Sequence, residues 1–203
     1  KNLGLKISFR IDLLVYLAGF ALSITPAKIG ELLRTQILRD KAGIQRTQTT
    51  PLIFIEKFYD LLGAVIISSI GILYFPQIGI IVLGGLILSI TIFILFSSKL
   101  TFDKSIVILS KFKFTKNFIE PLSKSHEILK NSTKTRIFTC SIILSVLYWL
   151  TISFAVLFVL KSLSIDSLGF AEIASTYASS LFLGALSFLP GGLGITEASF
   201  TGL

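Results

Sequence analysis

Three stretches of this chain, residues 51–75, 77–98 and 137–160, are long and almost wholly apolar. A helix of about 20 apolar residues crosses a hydrocarbon core of about 30 Å. Lipid offers no water to the backbone, so each amide must be satisfied inside its own helix or inside a closed barrel. The two-residue alternation of barrel strands is absent from these runs, which leaves helices. Of the 203 residues, 53% are hydrophobic and 15% charged, and mean hydropathy is +0.85; soluble domains carry about 25% charged residues. The expected fold class is therefore all-α: a polytopic α-helical membrane protein.

Its net charge of +8 does not point to nucleic acid, because the basic residues sit in loops between hydrophobic runs. There they orient a membrane protein and meet anionic headgroups. One cluster, Arg34, Arg39, Lys41 and Arg46, precedes the first apolar run. A second fills 99–136 with Lys99, Lys104, Lys111, Lys113, Lys116, Lys124, Lys130, Lys134 and Arg136, opposed only by Asp103, Glu120 and Glu127. Apolar residues interleave with these cations, as expected of an amphipathic segment lying on anionic lipid headgroups at the cytoplasmic surface; a plain solvated loop is the alternative. Two spans, 51–75 and 77–98, separate the clusters, so both fall on one side. The positive-inside rule makes that side the cytoplasm. The link 161–170 holds only Lys161 and Asp166 and belongs outside.

Two further apolar stretches are broken. Ser23-x-x-Pro26-x-x-x-Gly30 is followed directly by Glu31, and Ser187-x-x-Pro190-x-x-x-Gly194 is followed three residues later by Glu197. The run 11–25 is too short for a full span and has basic residues on both sides, so we read 8–38 as a re-entrant helix–turn–helix entering from the cytoplasm. The second break closes an apolar stretch entered from outside, giving a second re-entrant element over 172–203. An odd number of spans lies between them, so the two hairpins are inverted, as in transporters built from inverted repeats around a central site.

Ionisable residues cluster near these breaks. Glu56 and Asp60, spaced i, i+4, share a helix face, with Lys57 beside them. If the span begins at Pro51, Asp60 lies roughly 13 Å deep, where an aspartate costs on the order of 2.5–3.5 kcal/mol. Two readings stand: a structural salt bridge between the first hairpin and the span, or the lining of a polar pathway. At the first break a helix N-terminus opens beside Lys28 and Arg34, which suits a phosphate. At the second, Pro190, Gly191, Gly192 and Gly194 allow tight turns and close approach of a ligand, and Glu197 supplies an acid. Candidate binding residues are thus Pro26, Lys28, Gly30, Glu31, Arg34, Glu56, Lys57, Asp60, Pro190, Gly191, Gly192, Gly194 and Glu197.

Familiar nucleotide, hydrolase and metal motifs are missing, and no catalytic residue, metal site or cofactor is expected. Cys140, the only cysteine, lies in an apolar run and reads as a small buried hydrophobe. His126, the only histidine, reads as a solvated loop residue. Tyr148 and Trp149 fall mid-span and read as packing residues. The chain lacks methionine and ends in GITEASFTGL as a helix begins, so further spans are expected at both ends.

TPAKIGELLR at 25–34, EKFYD at 56–60 and LPGGLGITEASFTGL at 189–203 resemble the lysylphosphatidylglycerol synthase transmembrane-region family of flippase-like domains. That resemblance covers nearly the whole chain. It implies a multi-pass cell-membrane lipid translocase with re-entrant inverted repeats, and it carries the family's polar positions onto the candidate residues above, apart from Lys28 and Lys57. Family members often have arginine where Lys57 stands. The implied partner is a phospholipid or a lipid-linked sugar, with self-association into a homo-oligomer left open. The alternatives are a membrane-embedded transferase acting on polyprenyl phosphate or lipid headgroups, and a non-catalytic membrane scaffold subunit.

Overall fold

The structure, a computed structural model, describes residues 8–21, 33–111, 126–187, 189–190 and 192–202. Among these residues the regular structure is helical. The order is α1 (Phe9–Ala21), α2 (Leu33–Ala42), α3 (Arg46–Ile70) with a 3-10 turn (Gly71–Leu73), α4 (Ile78–Ser97), α5 (Lys99–Leu109), α6 (His126–Ser132), α7 (Thr135–Ser162), α8 (Phe170–Leu186) and α9 (Ile195–Gly202).

Two helices, α4 and α7, are long and apolar enough to cross a membrane. Only 22% and 17% of their most apolar windows are buried within the chain, whereas the core helix of a soluble protein would be covered on most sides. Ile80, Leu83, Ile87 and Ile90 of α4 and Ile143, Leu144 and Leu147 of α7 all face outward. Cys140 lies on this same outward row of α7, at i, i+3, i+4, i+7 spacing, and is exposed. The expectation of a buried cysteine is corrected on that ground. Tyr148 is half exposed, whereas its neighbour Trp149 is buried.

The α3 helix has the length of a span, but Glu56, Lys57 and Asp60 interrupt its apolar character. It begins at Arg46 rather than at Pro51, and Pro51 sits buried within its second turn. Proline there removes one helical bond, from the carbonyl of Thr47. The preceding turn nevertheless stays helical because it is packed: Thr49 and Thr50 are buried, and α2 lies against α3.

Side-chain pairings fix the register of the bundle. Phe58 meets Phe96 with ring centroids 5.5 Å apart, Val65 lies against Gly85, and Gly71 against Ile78. Ascending residues of α3 thus meet descending residues of α4, and the two are antiparallel. Along α7 the order ascends. Tyr59 meets Phe138 at 5.9 Å, the Ser145 hydroxyl donates to the Tyr59 carbonyl at 2.7 Å, and the Trp149 indole N–H donates to the Asp60 carbonyl at 3.1 Å. α8 returns antiparallel to α3, with Ser175 against Gly71 and Phe182 against Gly85.

Glycines make these approaches close. A methyl group at Gly63 would strike Ser145 and Trp149, one at Gly71 would strike Ser175, and one at Gly85 would strike Val65. Without a hydrophobic drive between helices in lipid, small residues at crossings are how such bundles gain contact.

One end of the bundle gathers the C-terminus of α4, the N-terminus of α7, α5 and α6. There Phe93 meets Phe138 at 5.7 Å, and Phe102 of α5 and Leu129 of α6 join Phe58, Tyr59 and Phe96 in one core cluster. His126 opens α6 with its ring 5.0 Å from Phe102 and its Nε2 buried, so the expected solvated loop histidine is instead a partly covered helix residue. The other end carries the α3–α4 and α7–α8 links. Ala64 and Ile67 of α3 pack with Trp149, Ala174 and Ala178 in a second cluster nearer that end.

Candidate functional site

Arg34 is the second residue of α2, next to the first break. Its guanidinium donates to both oxygens of Glu56, at 3.2 and 3.0 Å. The Arg34 side chain is 17% exposed and that of Glu56 44%. The guanidinium also lies 5.4 Å from the ring centre of Tyr16 on α1, within cation–π range. Its aliphatic stem crosses Gly19, where an added Cβ would come 2.5 Å from Arg34 Cδ. Three helices therefore converge on one arginine: α1 supplies a ring and a gap, α2 the cation, α3 the acid.

The charged row of α3 continues inward from Glu56 to Lys57 and Asp60, both partly buried and both engaged in interactions of their own. Phe58 is level with Phe96, near the end of α4 at Ser97. By the α3–α4 register, Asp60 lies about 5–10 Å in from that end. This is shallower than the 13 Å expected with Pro51 as the point of entry, because the part of α3 before Phe58, Pro51 included, projects beyond the level where α4 ends.

The second break lies near the same level. Ser175 and Ile78 both meet Gly71, and Phe182 and Val65 both meet Gly85. The first pairing sets Ser175 level with Ile78, and the second sets Phe182 level with Gly85. Leu186, the last residue of α8, is then level with Ser89, about 12 Å short of the end of α4. From there the chain turns through Pro190, Gly192 and Gly194 into α9. α9 folds back along α8: Gly184 faces Thr196 and Gly192, and Tyr177 meets Phe200 at 6.0 Å. Gly192 and Gly194 have φ of +72° and +85°, a region costly for residues with a Cβ. A methyl on Gly184 would collide with Thr196 Oγ1, a buried hydroxyl without a hydrogen-bond partner among the described residues.

The amides of this turn are largely consumed within it. Gly192 N–H donates to Leu189 C=O at 3.0 Å, Leu193 N–H to Pro190 C=O at 3.2 Å, and Thr196 N–H to Gly192 C=O at 3.0 Å. Gly194 N–H donates to Glu197 Oε2 at 2.6 Å, so Glu197 caps α9 from its third position. Glu172 does the same for Gly169 at the start of α8, also at 2.6 Å. The carboxylate of Glu197 is thus already used on a backbone donor.

Of the candidate residues, Arg34 and Glu56 are joined directly, with Lys57 and Asp60 following on α3. Pro190, Gly192, Gly194 and Glu197 sit in the turn after α8. Pro26, Lys28, Gly30, Glu31 and Gly191 lie outside the described residues. Tyr16, Gly19 and Trp149 were missing from the sequence-derived set. Gly19 did carry a signal, since a glycine late in an apolar helix is unfavourable unless something approaches it.

A family described as the lysylphosphatidylglycerol synthase TM region matches residues 1–203. The chain is also 27% identical over 190 residues to the UPF0104 membrane protein MJ1078 of Methanocaldococcus jannaschii, covering 88% of this chain and 76% of that one. No solved structure matches it. With its two spanning-length apolar helices and a family match over its whole length, this chain is a membrane protein that belongs to the lysylphosphatidylglycerol synthase TM region family.

Proposed function

We propose that the chain is a multi-pass cell-membrane lipid translocase, moving a phospholipid or lipid-linked sugar between leaflets while the tails stay in the bilayer. The observation that carries this reading is the Arg34–Glu56 pair. It sits at the rim of an apolar bundle, with Asp60 one helical turn further in and the Pro190 break near the same level. Ionised groups at such depth are costly unless they serve a partner or a path.

The two hairpins take their meaning from length. At 1.5 Å per residue, α1 and α2 reach about 20 and 15 Å, short of the roughly 30 Å core. α8 ends before the level where α4 ends, and α9 folds back. In this reading 8–38 enters from the cytoplasm and 172–203 from outside, and the two breaks face a shared groove.

An arriving phosphate offers Arg34 paired oxygens as Glu56 does, so the guanidinium can exchange one for the other; Glu56 engages only Nη1, whereas a phosphate can take two parallel bonds from the fork. Lys28 adds a second cation. Glu56, released, joins Asp60 in receiving the cationic part of a headgroup. Glu197 acts here by holding the start of α9.

The test uses purified full chain in liposomes containing a tail-labelled fluorescent lipid analogue of each class. The readout is how much label an impermeant reductant can reach. Translocation should exceed protein-free vesicles for at least one class, and Arg34→Ala and Asp60→Asn should suppress it. Equal rates with and without protein, across phospholipids and lipid-linked sugars, would sink the proposal.

A further inference from the structure

At the end of the bundle where α4 stops and α7 starts, six cations are exposed on α5, α6 and the residues that flank them: Lys99, Lys104, Lys111, Lys130, Lys134 and Arg136. Asp103 and Glu127 are the only acids on the described parts of this segment. None of the six cations forms an ion pair among the described residues. Cationic side chains that a fold leaves unneutralised on one side repel one another.

The helix beneath them has two faces. Phe102 of α5 is buried in the core cluster with Phe58, Tyr59, Phe96 and Leu129, which fixes the helix against the bundle. The opposite face, by helical spacing, carries Leu100, Val107 and Ile108 among Lys104 and Lys111. The three apolar residues are 77%, 62% and 59% exposed. A water-facing helix would not expose three large aliphatics between lysines. A helix at a lipid–water boundary does, sinking the aliphatics while the lysine stems lift the ammonium groups to the phosphates.

The placement agrees. Lys99 lies two residues past α4, Lys134 stands at the N-cap of α7 and Arg136 is its second residue, all at the end where both apolar helices emerge. We propose that α5 and α6 form a platform that binds the phosphates of anionic phospholipids in the leaflet facing the basic end, separate from the Arg34 site. Each cation near an anionic surface gives about a five-fold preference, so removing three lowers selectivity by about 100-fold.

The test is native mass spectrometry of the full chain released from bilayers of equal phosphatidylglycerol and phosphatidylcholine, reading the ratio of the two lipids retained. Wild type should retain phosphatidylglycerol in excess. The triple variant Lys104→Gln, Lys111→Gln, Lys130→Gln should lose that excess, and the same three sites as arginine should keep it. Lys161→Gln, an exposed cation at the opposite end of α7, should keep it too, which ties the effect to the basic end rather than to total charge. The triple glutamine variant should still translocate in the liposome assay, which separates this platform from the translocation proposal. The idea is overturned if the triple glutamine variant retains the excess, if Lys161→Gln alone abolishes it, or if inorganic phosphate displaces the lipid at millimolar concentration.

Discussion

Gly19→Ala tests whether Arg34 is held in place by all three of its neighbours. The new methyl would come 2.5 Å from Arg34 Cδ, 3.1 Å from Cγ and 3.3 Å from Nε. The arginine must give way by about 1 Å to restore ordinary contact. It has little freedom to do so, because its far end lies over Tyr16 and is bonded twice to Glu56. Losing the ion pair costs up to about 1 kcal/mol for a pair this exposed, and losing the ring contact about 0.5–1 kcal/mol. Against this, alanine is the better helix former by up to about 1 kcal/mol. The single variant therefore nearly cancels, and the informative quantity is the coupling with Arg34→Ala. In that background the propensity gain is unopposed and Gly19→Ala should stabilise. Equilibrium unfolding of the four proteins in mixed micelles, followed by helical circular dichroism, should give a coupling energy of about 1–2 kcal/mol. Additivity within about 0.3–0.5 kcal/mol would mean that Gly19 and Arg34 do not sense each other, and the three-helix convergence would be refuted.

Other substitutions probe the rest of the bundle. Gly184→Val should destabilise by about 1–3 kcal/mol through overpacking against Thr196, seen as a lowered thermal midpoint, and Thr196→Gly should restore part of the loss. Glu197→Ala should cost about 0.5–1 kcal/mol by uncapping α9, with Glu197→Gln near wild type because an amide oxygen still accepts from Gly194 N–H; equal losses in the two would disprove the capping role. Trp149→Phe should cost about 0.5–1.5 kcal/mol by removing the donor to the Asp60 carbonyl, and should do so even in an Asp60→Asn background, since the bond goes to the backbone.

The long apolar helices were legible in the sequence because nothing in them competes with hydrophobicity. The reading 77–98 became Ile78–Ser97, and 137–160 became Thr135–Ser162. α3 was harder. Pro51 looks like a helix start, whereas the earlier turn stays helical with Thr49 and Thr50 buried, a packing invisible in one dimension. The depth of Asp60 differed because Phe58, not Pro51, is level with the end of α4. Cys140 and His126 were misjudged for a related reason: composition gives the environment of a segment, not which face of it points where. The Glu56–Asp60 row was readable from its spacing, but its partner Arg34 stands 22 residues away, and no local pattern predicts that pairing. The glycine-x-x-glutamate at Gly194 and Glu197, repeated at Gly169 and Glu172, is a capping signature readable in the sequence, and it gives Glu197 a backbone partner rather than a headgroup.

The charged half of α3 also bears on how the chain is made. Two of the neighbours that cover it, α7 and α8, are synthesised after it, separated by the whole α4–α6 region. At elongation of about 5–20 residues per second, α3 leaves the ribosome several seconds before Trp149 exists to bond the Asp60 carbonyl. A nascent helix with Glu56, Lys57 and Asp60 is a poor candidate for the insertion machinery to release alone into lipid. α4, made next, can cover the apolar side through Phe96, but the Asp60 level of α3 is completed only when α7 arrives, and on this ground α3 is expected to settle in lipid after α7 rather than in the order of synthesis.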